Sequence, residues 1–182
     1  GIWAPQDFVI AEKLTEWISQ DALIEPCTLL IRPHFTDINT NKFQKLEGIS
    51  HVIIDRSLHT NDYFVDNWDP GKEETELLVN TLNHMSIMVT IASTLTLDSA
   101  CFDKPIINVA YGALMHDGVD HTPILYETDH YEWVLNTNAV DVVKNNDELK
   151  ASLNYYLQHP EHRANERVEL LKQLCFQVDG KS

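Results

Sequence analysis

Basic residues are scarce. Thirteen Lys and Arg stand against 28 Asp and Glu, a formal net charge of −15. That excludes a general nucleic-acid binder, which needs clustered cations to neutralise phosphates. It leaves room for one anionic ligand, because backbone N–H groups can hold an anion on an acidic protein. Cysteine is scarce too. Cys27, Cys101 and Cys175 are far apart in sequence, odd in number and without a Cys-x-x-Cys pair, which argues against a zinc ribbon or a disulfide framework. Their apolar neighbours predict buried, reduced thiols and a reducing compartment. No apolar run approaches the roughly 20 residues that span a membrane. No leader pattern is read at Gly1. The six glycines form neither a Walker loop nor a GxGxxG fingerprint. No G-x-S-x-G elbow is present, so an esterase-type nucleophile is unsupported.

What is there is enough for one folded domain over residues 1–182, with 43% apolar residues for a core. Short apolar runs predict strands at "CTLLIRPH", "HVIID", "SIMVTIA", "PIINVAY" and "AVDVVKN". Between them lie helix-spaced segments. "DFVIAEKLTEWISQ" places Ile10, Ala11, Leu14, Trp17 and Ile18 on one face, with Asp7 as cap. "EETELLVNTLNHM" aligns Leu78, Leu82 and Met85; "NDELKASLNYYLQ" aligns Leu149, Leu153, Tyr156 and Leu157, with Asn146 or Asp147 as cap. "NKFQKLEGI" reads as a short helix or turn, and Pro160 is expected to open the last helix. Residues 112–138 read as a long polar and aromatic loop.

Alternating helices and unbroken apolar strands predict an α/β fold, a doubly wound parallel sheet covered on both faces. Such a domain usually starts with a strand, whereas this chain opens almost directly into a helix. The expectation is a fragment that lacks its first strand, one normally central in the sheet.

In open parallel sheets, ligands bind beyond the carboxyl ends of the strands. The passage from "IMVTIA" to "STLTLD" is such a place. Ser93 is expected to cap the short helix by accepting from the N–H of Leu95 or Thr96. Free N–H groups at the tip, with the Thr94 hydroxyl, would suit a phosphate. Thr94 and Asp98 are four apart and share a helical face. A phosphate at the tip and a ribose against Asp98 would together describe a nucleotide. Each residue alone has a plainer reading: Ser93 as a cap, Asp98 as a dipole partner, Arg32 in an ion pair, His34 as a structural histidine.

The run "HMSIMVTIASTLTLDSACFDKPIINVAYG", with "LLIRPHF" and "NWDP" upstream, resembles the C-terminal, donor-binding half of GT-B glycosyltransferases. It is most similar to bacterial surface-polysaccharide and CDP-glycerol glycerophosphotransferase-like enzymes. UDP-N-acetylglucosamine 2-epimerases share that fold. The shared pattern is a strand, a Ser-Thr type turn, an acidic residue a turn later, then Lys-Pro and a strand; here these are Ser93, Thr94, Asp98, Lys104 and Pro105. The resemblance implies a Rossmann-like half-domain of a larger enzyme. It implies that Ser93, Thr94 and Arg32 meet the donor diphosphate, that Asp98 meets the ribose, and that His34, Asp55, Tyr111 and Gly112 line the donor cleft. The loop from Asp55 to His59 would hold the base. No catalytic residue is fixed; His34 is the candidate.

The implied substrate is a nucleotide diphosphate-sugar, with no cofactor and no metal. The implied partner is a glycan acceptor presented by an N-terminal domain outside this chain, in the cytoplasm or at the inner membrane face. The chain alone is expected to bind nucleotide weakly and to catalyse little. An epimerase-like domain and a non-catalytic ligand-binding domain are the alternatives.

Two other constellations are weaker. "HDGVDH" gathers His116, Asp117, Asp120 and His121, which are metal-ligand types in a spacing that matches no strong motif. A phosphoacceptor receiver would explain Asp55 at a strand end, but its acidic pair and late-strand lysine are not in place.

Overall fold

A computed structural model describes residues 3–34, 37, 40–56 and 71–175. The chain is α/β. It begins with α1 (Phe8–Ser19), β1 (Leu29–Ile31), a 3-10 helix (Thr40–Leu46) and β2 (Val52–Ile54). Then come α2 (Lys72–His84), β3 (Met88–Thr90), α3 (Leu95–Cys101) and β4 (Ile106–Val109). A small hairpin of β5 (Met115–His116) and β6 (Val119–Asp120) precedes a second 3-10 helix (Thr122–Tyr126) and α4 (Asp129–Asn136). The chain continues through β7 (Asp141–Val143), α5 (Asn146–Gln158) and α6 (Ala164–Leu174).

All five apolar runs form strands. β1 pairs with β2, and β3, β4 and β7 pair in that order, every pair parallel. Parallel strands buried on both faces carry apolar side chains without alternation. β4 is the clearest case, with all four residues buried. On one face Ile107 and Val109 meet Ile10, Leu14 and Trp17 of α1 and Leu149, Leu153 and Tyr156 of α5. On the other, Ile106 and Ala110 meet Ala100, Tyr131, Val134 and Leu170 from α3, α4 and α6. A third cluster joins Ala11 of α1 to Ile31 of β1 and to Phe43 and Leu46 of the first 3-10 helix.

The path of α1 fixes strand direction. The Gln6 N–H donates to the Ala113 carbonyl at 3.1 Å, so α1 starts beside the carboxyl end of β4. It runs back across the sheet, and β1 then returns from the opposite edge. The carboxyl ends of both strand groups therefore share one edge.

Several local expectations are corrected. Residues 112–138 are not an irregular loop: they hold β5, β6, a 3-10 helix and α4. Asp117 and Gly118 both have positive φ, 48° and 77°, which makes Asp-Gly the two-residue turn whose twist matches a hairpin. Asp7 stands at the α1 N-cap but makes no capping bond; its carboxylate lies 2.6 Å from Lys42 Nζ. The cap of α5 is Asn145, accepting from the Glu148 N–H at 2.9 Å. Pro160 precedes α6 by a turn rather than opening it. The fully buried Arg167 of α6 donates to Asp103 Oδ1 at 2.7 Å and to the His162 carbonyl at 2.7 Å. The three free thiols are not buried: Cys27 and Cys175 are half-buried and Cys101 is exposed. Desolvation, then neighbouring Cys175 and Asp98, raise the Cys101 thiol pKa.

Candidate functional site

The site is built on the turn between β3 and α3. Ser93 Oγ accepts from the Leu95 N–H at 3.3 Å, the capping bond expected of it. Its carbonyl accepts from the Thr96 N–H at 3.1 Å. Two phenols from the opposite side hold the turn. Tyr126 Oη accepts from the Ala92 N–H at 3.1 Å and donates to the Val109 carbonyl at 2.9 Å, tying β3 to β4. Tyr131 Oη meets Asn108 Nδ2 at 2.6 Å and Thr96 Oγ1 at 3.1 Å. The two rings stand edge to face, 5.4 Å apart, a favoured aromatic geometry. Burial raises both phenol pKa values, so both remain neutral donors and acceptors. Asn108 Oδ1, fully buried behind them, has no hydrogen-bond partner among the described residues.

The tip of α3 therefore offers fewer open donors than the sequence leads one to expect. The N–H groups of Ala92, Leu95 and Thr96 are taken internally. The Thr94 N–H has no acceptor among the described residues, and Thr94 is exposed. Asp98 lies one turn on, on the same face. The residue is exposed as a whole, yet desolvation of its carboxyl raises its pKa.

Arg32 and Asp55 come together at the carboxyl ends of β1 and β2. Arg32 Nη2 lies 2.7 Å from Asp55 Oδ2 and donates to Thr81 Oγ1 of α2 at 3.0 Å. This is the ion-pair reading of Arg32; its charge is shared with a carboxylate before any ligand arrives. His34 is exposed, and its carbonyl accepts from the Asp37 N–H at 2.8 Å. No hydrogen bond among the described residues links Arg32 or His34 to Ser93, Thr94 or Asp98. The base-holding loop expected at Asp55 to His59 lies largely outside the described residues, as does "NWDP".

Tyr111 and Gly112 follow β4 at the same edge. Tyr111 Oη donates to Asn146 Oδ1 at 2.8 Å; burial, then Glu148, push the phenol up to about 12. Gly112 has φ +69°, where a side chain would be strained, and its N–H donates to Asp120 Oδ2 at 2.7 Å. Asp120 also accepts from the Thr122 N–H at 2.9 Å and the Thr122 hydroxyl at 2.6 Å. Desolvation pushes this carboxyl up, but those bonds with His121 together bring it below the usual range. Asp120 is thus a brace for the loop after β4. His116 Nδ1 is 3.3 Å from Asp117 Oδ2, and the His116 and His121 rings lie 6.3 Å apart. Among the described residues no three such side chains converge as metal ligands would.

Sequence reasoning misses Tyr126 and Tyr131, the residues that set the turn. Their one signal is a pair of phenols five apart in an aromatic-rich stretch. Among the described residues no helix is long and apolar enough to cross a membrane. No protein-family model matches the chain, and neither does any curated protein or any solved structure.

Proposed function

We propose that this chain is the nucleotide-sugar-binding half of a GT-B type glycosyltransferase, a Rossmann-like, doubly wound domain. The parent enzyme would work in the cytoplasm, building bacterial surface glycan. The observation that carries the reading is the gathering of the Ser93 turn, Asp98, Tyr111 and Gly112 at the carboxyl edge of parallel strands, where ligands of such sheets bind. In this reading the Thr94 N–H and hydroxyl take a phosphate oxygen. Asp98, once ionised, accepts from ribose hydroxyls. Stabilising the departing diphosphate lowers the barrier to breaking the glycosidic bond. Arg32 adds less than an unpaired guanidinium would, since Asp55 already holds it.

A second reading, a non-catalytic domain of the same fold, is favoured by the internally satisfied N–H groups around Ser93. Calorimetric titration with UDP, CDP and GDP separates the two. The first reading predicts binding to at least one nucleotide that is weakened in a Ser93→Ala, Asp98→Ala double variant. Absence of binding to all three supports the second. Binding unchanged in the variant removes the site assignment.

A further inference from the structure

Two of the three cysteines stand at the ends of two helices that pack together. Cys101 is the last residue of α3, and Cys175 directly follows α6. The two helices lie against each other on one face of the sheet. The contact is fixed where α3 ends. The fully buried Arg167 of α6 donates to Asp103 Oδ1 at 2.7 Å, two residues past Cys101. Neither thiol is sealed off: Cys101 is exposed and Cys175 half-buried.

Helical spacing puts Cys175 on the face that meets α3. Arg167, Leu171 and Cys175 follow one another four residues apart and share one side of α6. The Cys175 N–H still donates to the Leu171 carbonyl at 2.8 Å, so the row continues to the thiol. Its first member grips Asp103, and its second packs in the cluster that holds Ala100 and Leu97 of α3. Leu97 is in turn four residues before Cys101. Desolvation, then Cys175 and Asp98, raise the Cys101 thiol pKa, which agrees with the two sulfurs being neighbours. Packed helices lie about 8–10 Å axis to axis, with Cα atoms about 2.3 Å off each axis. Facing Cα atoms then fall in the span of about 4.4–6.8 Å that a disulfide takes. Among the described residues no three metal-ligating side chains converge, so the pair is a dithiol and not part of a metal centre.

We propose that Cys101 and Cys175 form a redox-modification site, a dithiol that a small-molecule disulfide of the glutathione class converts into an intrachain disulfide joining α3 to α6. The exposed Cys101, as thiolate, attacks one sulfur of the small disulfide. A mixed disulfide forms and one small thiolate departs. Cys175, as thiolate, then attacks the Cys101 sulfur, and the second small thiolate departs. The two protons of the protein thiols end on the two departing thiolates. The protein sulfurs lose two electrons, and the small disulfide gains them. A thiol with a raised pKa is a slow nucleophile at neutral pH, so the pair records a lasting disulfide pool and does not catalyse exchange. The bond fastens α3, the helix that carries Asp98, to α6. The inference rests on the packing of α3 on α6 and not on nucleotide binding.

The test equilibrates the full chain with mixtures of oxidised and reduced glutathione, blocks the remaining thiols and maps the disulfides by peptide mass spectrometry. Cys27 supplies an internal control. As many residues separate it from Cys101 as separate Cys101 from Cys175, so loop closure alone favours neither pairing. The proposal expects the folded chain to form Cys101–Cys175 at least roughly tenfold more than Cys27–Cys101, and the two to approach parity in urea. Cys27→Ser is expected to keep the cross-link. Cys101→Ser and Cys175→Ser are expected to stop at the mixed disulfide under the same mixture. Mixed disulfides alone in the folded wild type overturn the proposal. So do disulfides between two chains in place of the intrachain one, or equal pairing of Cys101 with Cys27 and Cys175. Nucleotide titration of the reduced chain reads the proposed function separately.

Discussion

Arg32 Nη2 lies 2.7 Å from Asp55 Oδ2, and each side chain is only 14% exposed. The pair joins the carboxyl ends of β1 and β2, and Thr81 links it to α2. Breaking a fully buried pair from one side costs about 3–5 kcal/mol, and partial solvent screening reduces that. Arg32→Ala is expected to lower stability by about 2 kcal/mol in urea unfolding. Arg32→Lys is expected to recover only part of it, because a point charge cannot serve Asp55 and Thr81 with a planar fork.

Tyr131→Phe removes the hydroxyl shared by Asn108 and Thr96. The Asn108 amide would lose its partner in a fully buried place, a cost of about 1–3 kcal/mol. Urea unfolding reads the loss. If the Ser93 turn binds nucleotide, the same variant weakens that binding although Tyr131 touches no ligand.

Lys42 is held between Asp7 and Asp37, with Asp37 and the Lys42 side chain nearly buried. Desolvation lowers the Lys42 pKa, but the Asp37 and Asp7 carboxylates outweigh it and raise the pKa above its ordinary value. Desolvation likewise raises Asp37, and Lys42 is a principal cause of its net lowering. The lysine contribution is present below its unfolded pKa and is lost as pH rises through the higher folded one. Lys42→Met leaves two carboxylates facing each other and is expected to cost about 3 kcal/mol or more, measured by thermal or urea unfolding.

Asp120 tests the brace after β4. Its folded pKa is depressed, so its contribution is present above the unfolded carboxylate value of about 3.9 and is lost as pH falls through the folded value. Wild type is expected to lose stability below about pH 4 more steeply than Asp120→Ala. At neutral pH the variant is expected to be weaker by about 1 kcal/mol. Unfolding midpoints between acid and neutral pH check both.

The parallel strands are legible because each is a short apolar run bounded by polar residues, the pattern of a strand buried on both faces. The long helices are legible from their spacing, and the Ser93 cap from a Ser ahead of a periodic segment. The 112–138 region is misread because β5 and β6 are two residues each and α4 only eight, too short to show a period. Its clearest local signal is Asp117-Gly118. The side-chain partners of the site are less legible. Arg32 and Asp55 are 23 residues apart, and Tyr131 and Thr96 are 35 apart. Such pairs follow from how strands are ordered, which local pattern does not encode.

The central claim is that the Ser93 turn takes a nucleotide diphosphate. An amide NMR titration with UDP, CDP and GDP on the 182-residue chain tests it most directly. The account predicts that at least one nucleotide shifts the amides of Thr94, Leu95 and Asp98 together with Tyr111 and Gly112. Saturating shifts confined to other residues, or none with any nucleotide at millimolar concentration, would contradict it.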